Sequence, residues 1–224
     1  MIRAVITDIE GTTTSIAFVH DVLFPYAAAQ LEPFVRARGG DPVVQATLAE
    51  LGQASPAGDP VAVARDLMAR DVKSTPLKRL QGWIWEAGYA DGSLLADVYP
   101  DVAPQLRAWR DAGLTLAVYS SGSVHAQKLL FGHTRAGDLR ALFTGWFDTT
   151  TGPKTEPASY ARIATVLDVR PAEALFLSDA TRELEAARGA GLQAVGISRG
   201  AEVPPGWLTS FAELQLEAAG SPER

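Results

Sequence analysis

At 224 residues, with 47% apolar and 21% charged side chains, the chain has the make-up of an ordinary folded protein. That length buries a sizeable core without staples, and a net charge of -6 gives no nucleic-acid footprint. The absence of cysteine excludes thiol catalysis, disulfides and thiolate zinc sites, and three scattered histidines (His20, His125, His133) argue against a histidine-rich metal site.

The first element is residues 2–7, IRAVIT, a short β-branched run that fits a buried parallel strand. From His20 to Arg38 apolar residues recur at helical spacing, and Gly39-Gly40 stops the pattern. Asp41-Pro42 and Asp59-Pro60 each look like an N-cap followed by proline at the first helical position, which predicts helices over 42–52 and 60–71. The stretch between them, QASPAGDP, is a loop by composition. A fourth amphipathic helix is expected over 75–88, closed by the turn YADG.

After residue 98 the pattern changes. Helix VAPQLRAWRDAG is followed by strand LTLAVYS, then helix VHAQKLLFG, and ALFTGWFDT holds a short strand. Helix PASYARIATVLD, strand ALFLSD, helix TRELEAARGAG and strand LQAVGIS complete the alternation, and a last helix is expected within 205–224. Strands alternating with helices imply an α/β fold, a Rossmann-like parallel sheet with helices on both faces. The expected organisation is a catalytic core of residues 1–16 and 99–224, interrupted by a helical cap over 17–98. The N-terminus lacks a basic segment followed by a long apolar one, and no window holds 18 apolar residues, so the expected location is cytoplasmic. No exposed apolar strip is evident, which favours a monomer.

Open parallel sheets bind ligands beyond the carboxyl ends of their strands. Four polar signals fall there in order. Asp8 and Glu10 follow the first strand, Ser120, Ser121 and Gly122 follow LTLAVY, Lys154 lies in TGPKTEP, and Asp179 follows ALFLS. Taken singly each has a plain explanation: a helix cap, a turn, a solvated lysine. Together they form a constellation. Clustered carboxylates repel one another unless a cation sits among them, and their hard oxygens suit magnesium. Serine hydroxyls, backbone N–H groups and a lysine suit a phosphate.

The motifs DIEGTT, YSSGS, GPK and LFLSDATRE resemble, in order, the four motifs of the haloacid dehalogenase superfamily. TDIEGTTTSIAFVHDVLFPYA, LKRLQGWIWEAGYADG, YSSGSVHAQKLLFGHTRAGDL and FDTTTGPKTEPASY resemble one branch of it, the bifunctional enolase-phosphatases (acireductone synthases) of methionine salvage. The departures are His125, where an acid is expected, and a nondescript stretch over 40–70.

The resemblance implies a small phosphoester substrate and these roles. Asp8 is the nucleophile. Magnesium is held by Asp8, by Glu10 through its backbone carbonyl, and by Asp179. Lys154 neutralises phosphoryl charge, while Ser120 and Ser121 bind phosphate oxygens. The family enolises 2,3-diketo-5-methylthiopentyl 1-phosphate and then hydrolyses its phosphate ester. Two readings of the Glu10 side chain stand side by side. Its extra methylene, roughly 1.3 Å of reach, serves the enolisation proton, or it only follows a different turn. Trp83, Trp85 and Tyr89 are candidates for shielding the methylthio tail, although aromatics at that spacing are usually core. Lys73, Lys78, Arg79, His20 and His125 likewise have solvated or structural readings as defaults. The rival activity is a magnesium-dependent phosphatase of the same superfamily with another small substrate. The rival outside enzymes is an interaction protein that keeps the fold without the chemistry.

Overall fold

The computed structural model describes residues 1–53, 58–70, 72 and 74–216. In chain order, strand β1 (Ala4–Thr7) precedes a π-helix (Phe18–Leu23) and helices α1 (Phe24–Arg38), α2 (Pro42–Gly52), α3 (Pro60–Ala69) and α4 (Thr75–Ala90). Helix α5 (Val102–Asp111), β2 (Thr115–Tyr119), α6 (Val124–Gly132) and β3 (Gly145–Phe147) follow. Helix α7 (Pro157–Val166), β4 (Ala174–Ser178), α8 (Thr181–Gly189) and β5 (Gln193–Gly196) complete the series. The chain divides into two compact units, Met1–Ile16 with Ala96–Arg224, and Ala17–Leu95.

The first unit is built on one parallel sheet in the order β3-β2-β1-β4-β5. Strand β1 is central because its four residues, AVIT, are all buried and suit a strand covered on both faces. It pairs in register with β2 (Thr7 opposite Val118) and with β4 (Thr7 opposite Leu177). Strands β2 and β4 thus run one residue beyond β1, to Tyr119 and Ser178. The residues just past the three strand ends, Asp8, Ser120 and Asp179, are carried to the same edge of the sheet. The Asp8 N–H still donates to the Leu177 carbonyl at 2.9 Å, so the ladder reaches the first candidate site residue. One face buries Ile6, Tyr119 and Phe176 with Tyr160 and Ile163 of α7 and Leu184 of α8.

The second unit is helical. Asp41 and Asp59 cap α2 and α3 through the Val43 and Val61 N–H groups, each ahead of a proline, and Ser74 caps α4. Its core gathers Leu31, Phe34, Leu51, Leu77, Leu80 and Ile84, with Trp83 and Trp85 packed against it. The Trp85 indole donates to the Leu23 carbonyl at 2.9 Å, and Tyr89 is buried. These aromatics serve the unit's own core. Arg79 is engaged by Glu50 at 3.1 Å and by Thr47 at 3.0 Å. Lys73 lies outside the described residues.

Two expectations need correcting. The helix expected from His20 enters through a π-helical turn at Phe18, and His20 packs edge-on against Phe24 at 5.4 Å. No long helix forms in the described part of 205–224. It holds only a short 3-10 turn, Phe211–Glu213, whose Phe211 is drawn fully into the core; residues 217–224 lie outside the described residues. Burial of one aromatic, with Ser210 and Glu213 satisfying the turn's own N–H groups, overrides helical propensity there.

Leu80 is fully buried in the helical core. Leu80→Ala is expected to lower stability by about 3 kcal/mol through lost burial and the residual cavity. Urea unfolding followed by tryptophan fluorescence, with Trp83 and Trp85 as local reporters, measures it.

Candidate active site

The turn after β1 is locked by its own backbone. The N–H groups of Thr12, Thr13 and Thr14 all point to the Ile9 carbonyl at 3.2, 2.9 and 3.0 Å, and Gly11 N–H donates to Thr14 at 2.8 Å. Gly11 takes a positive φ of 71°, and a Cβ there would lie 2.0 Å from Asp179 Oδ2. Only glycine satisfies both demands, and it lets the Asp179 carboxylate press against the turn that bears Glu10. Asp8 is buried. Its Oδ1 accepts the Ile9 N–H at 2.7 Å, while the Thr7 and Thr13 hydroxyls donate to its main-chain carbonyl at 2.9 and 3.2 Å. Side chain and backbone are thus both held.

Lys154 comes from the loop before α7, yet its ammonium reaches Asp8 Oδ1 at 2.7 Å and Glu183 Oε2 at 2.6 Å, with only 8% of the side chain exposed. The loop is fixed by two tyrosine hydroxyls. Tyr160 donates to the Lys154 carbonyl at 2.7 Å, and Tyr119 to the Gly152 carbonyl at 2.9 Å. The ammonium also lies 5.8 Å from the Tyr119 ring and 6.0 Å from Phe176, within cation–π range. Burial works against the lysine's charge, but Asp8 and Glu183 outweigh it and hold its pKa above the ordinary value. Lys154 stays protonated.

Burial, reinforced by the Asp8 charge, pushes the Asp179 carboxyl up to about 6. The same two causes, in the same order, raise Glu183. The carboxyl groups of Asp8, Asp179 and Glu183 share this neighbourhood with one ammonium, and the Glu10 charge adds to them at Asp179, so full ionisation leaves an excess of negative charge. A divalent cation fits that excess. The available donors are the hard oxygens of Asp8 and Asp179 and the Glu10 carbonyl. Among the described residues no three His, Cys, Asp or Glu side chains form a cage, so such a cation would keep solvent oxygens, as small hard cations do.

Ser120 is buried at the end of β2. Its N–H donates to Phe147 at 3.1 Å, and its Oγ accepts the Gly122 N–H at 3.3 Å. Ser121 lies in the bend that follows. Gln127 braces this loop from behind, its amide donating to the Gly122 and Phe147 carbonyls, both at 2.8 Å. Ser123 caps α6 through the Ala126 N–H at 3.3 Å, directing the helix N-terminus toward the same loop.

The structure brings Asp8, Lys154 and Asp179 together, and it sets Glu10 and the two serines on adjoining loops of one sheet edge. Glu183 reads from the sequence as a residue that orients its neighbours rather than as a catalytic or metal-holding group. Its place four positions after Asp179, in the first turn of α8, is the signal that marks it, and its contact with Lys154 gives it meaning. Ser178 is a second addition. Its hydroxyl donates to Glu183 at 2.9 Å and lies 3.4 Å from Asp8 Oδ2.

Residues 2–191 match the sequence model of the haloacid dehalogenase-like hydrolases, and the chain belongs to that family of enzymes. Enolase-phosphatase E1 of Pseudomonas aeruginosa (strain UCBPP-PA14) is 51% identical over 223 residues, 96% of this chain and 99% of that protein. Enolase-phosphatase E1 of Methylococcus capsulatus is 54% identical over 198 residues, 85% of this chain and 86% of that one. The crystal structure of the UTR4 protein of Saccharomyces cerevisiae superposes with a TM-score of 0.82 at 35% identity, covering 96% of this chain and 100% of the other. Within the hydrolase family the chain groups with the enolase-phosphatases E1.

Gly11→Ala forces a left-handed alanine and a clash with Asp179. It is expected to lower kcat/KM by about 100-fold through misplacement of the turn and to cost about 1–2 kcal/mol of stability. Steady-state kinetics and a thermal melt on the same preparation measure the two effects.

Proposed function

We propose that the chain enolises 2,3-diketo-5-methylthiopentyl 1-phosphate and then hydrolyses the phosphate ester, giving the acireductone 1,2-dihydroxy-3-keto-5-methylthiopentene in methionine salvage. The observation that carries the reading is the buried Asp8 carboxylate, fixed 2.7 Å from the Lys154 ammonium at the carboxyl end of the central strand. A carboxylate so placed is a preorganised nucleophile beside a preorganised cation. The similarity to proteins named enolase-phosphatase E1 supplies the substrate class.

In this reading Asp8 attacks phosphorus in line. The bond from phosphorus to the ester oxygen breaks, and an aspartyl phosphate forms that water then hydrolyses. Lys154 and the Ser120 and Ser121 hydroxyls hold the phosphoryl oxygens, where charge is greatest in the transition state. Magnesium, when bound by Asp8, the Glu10 carbonyl and Asp179, supplies positive charge that offsets repulsion between nucleophile and phosphate dianion. Glu183 shares the Lys154 ammonium and keeps it from collapsing wholly onto Asp8. The Glu10 side chain protonates the leaving oxygen in the phosphatase half, and its extra length over aspartate lets it also move the enolisation proton. The helical unit Ala17–Leu95 acts as the cap that selects the substrate. The enzyme works as a monomer in the cytoplasm.

The deciding experiment assays the diketone phosphate beside a panel of sugar phosphates, with and without magnesium. A two-stage ultraviolet change that requires magnesium supports the reading. Hydrolysis with no enol intermediate, or a preference for a sugar phosphate, points to a plain phosphatase instead. Asp8→Asn is expected to reduce phosphate release by at least about a thousandfold. Glu10→Asp is expected to slow enolisation about tenfold more than phosphate release from a pre-enolised analogue; equal losses in the two steps would remove the glutamate from enolisation.

A further inference from the structure

The turn that carries Glu10 is held from outside at three successive residues: the Tyr99 N–H donates to the Thr13 carbonyl at 3.0 Å, the Thr14 hydroxyl donates to the Asp97 carbonyl, and an arginine takes the Thr12 carbonyl. Arg199 lies just past β5, and its side chain in the ion pair is only 9% exposed. Its Nε and one terminal nitrogen both donate to the Thr12 carbonyl, at 3.1 and 3.0 Å. The other terminal nitrogen donates to both Asp101 carboxylate oxygens at 2.9 and 3.0 Å, and to the Thr209 carbonyl at 2.9 Å. The guanidinium lies over two aromatic rings, 4.3 Å from the Tyr99 centroid and 5.3 Å from that of Phe211.

Asp101 is committed to the same arrangement. It stands at the start of α5, where an aspartate ordinarily caps the helix, yet its side chain makes no capping bond there. Instead Oδ2 accepts the Phe211 N–H at 2.6 Å and the Ser210 hydroxyl at 3.1 Å. The segment beyond β5 returns to the sheet through Ser198, whose N–H donates to Leu208 at 2.8 Å, and Trp207 covers Gly196, where a Cβ would meet its ring at 2.2 Å. The Thr12 hydroxyl, buried, finds no hydrogen-bond partner among the described residues, so Thr12 itself is gripped from this side through its carbonyl.

We propose that Arg199 is a positioning residue for catalysis: with Asp101 it clamps the Thr12 carbonyl and so fixes the Glu10-Gly11-Thr12 turn beside Asp8. The inference rests on the roles proposed above for Asp8 and Glu10. Thr12 is two residues from Glu10 and one from Gly11, against which Asp179 sits. A shift of the Thr12 peptide therefore moves both. A planar fork that places two donors on one carbonyl and one nitrogen on a carboxylate is a task for arginine; a lysine ammonium lacks the geometry.

Arg199→Lys, Arg199→Ala and Asp101→Asn are compared with wild type and with Arg107→Ala, which removes an exposed arginine bonded to the Ala136 carbonyl. Each is checked for folding by circular dichroism and thermal melting, then assayed for magnesium-dependent turnover of the diketone phosphate. The expected result is a kcat lowered about 100-fold in Arg199→Ala with KM within about threefold, and an intermediate loss in the other two site variants. Free guanidinium at about 20 mM should restore at least about tenfold of the lost kcat to Arg199→Ala and nothing to Arg199→Lys. Arg107→Ala should match wild type. The inference is overturned if the folded Arg199→Lys and Asp101→Asn variants keep wild-type kcat, or if guanidinium fails to restore Arg199→Ala. A wild-type enzyme silent toward the diketone phosphate but active on a sugar phosphate overturns the substrate reading only. The same variants are then compared on that sugar phosphate.

Discussion

The constraint on which the site depends is a buried ammonium set between two carboxylates, Lys154 with Asp8 at 2.7 Å and Glu183 at 2.6 Å. Removing any of these charges from water costs several kcal/mol, and only mutual attraction with further hydrogen bonds offsets it. The protein supplies those bonds generously. The Ile9 N–H serves Asp8, the Ser178 hydroxyl serves Glu183, and the tyrosine hydroxyls of Tyr119 and Tyr160 hold the lysine's loop from beneath. An aromatic floor of Tyr119 and Phe176 keeps water from the ammonium without removing its charge. An excess of negative charge still remains around Asp179, whose carboxyl is pushed up to about 6. The arrangement is therefore suited to receive both a cation and a phosphate, and is electrostatically incomplete without a cation.

A parallel sheet with its polar residues at one edge makes such crowding possible. Because β1 is central and paired in register with β2 and β4, the residues just past the three strand ends, Asp8, Ser120 and Asp179, gather at one edge. The loops beyond the strands then need bracing, and the braces come from distant parts of the chain. Gln127 holds the serine loop, the two tyrosines hold the lysine loop, and Arg199 with Asp101 holds the turn after β1. Each brace binds main-chain carbonyls and so fixes backbone position.

Much of this was legible from residue patterns. The β-branched run at 4–7, the aspartate-proline caps of α2 and α3, and the alternation of strands and helices after α5 each depend on neighbours a few residues apart. Asp8, Lys154 and Asp179 stood out because charged residues next to apolar strands and turn residues are conspicuous. The misreadings have a common source. The π-helical entry at Phe18 and the short turn at Phe211 in place of a helix were both decided by contacts across the fold. Periodicity identifies an amphipathic face but not what the face will meet.

The sequence by itself determined the order of elements, the sheet class and the three charged residues at its centre, because these follow from local propensity, hydrophobic period and turn chemistry. Only the tertiary structure decided that Glu183 joins Lys154, that Tyr160 anchors that lysine's backbone, and that Asp101 gives up a helix cap to grip Arg199. Lys154 and Glu183 lie 29 residues apart along the chain, and Asp101 and Arg199 lie 98 apart. No short-range pattern encodes such a pairing. It arises when desolvation leaves buried charges no counterparts but one another.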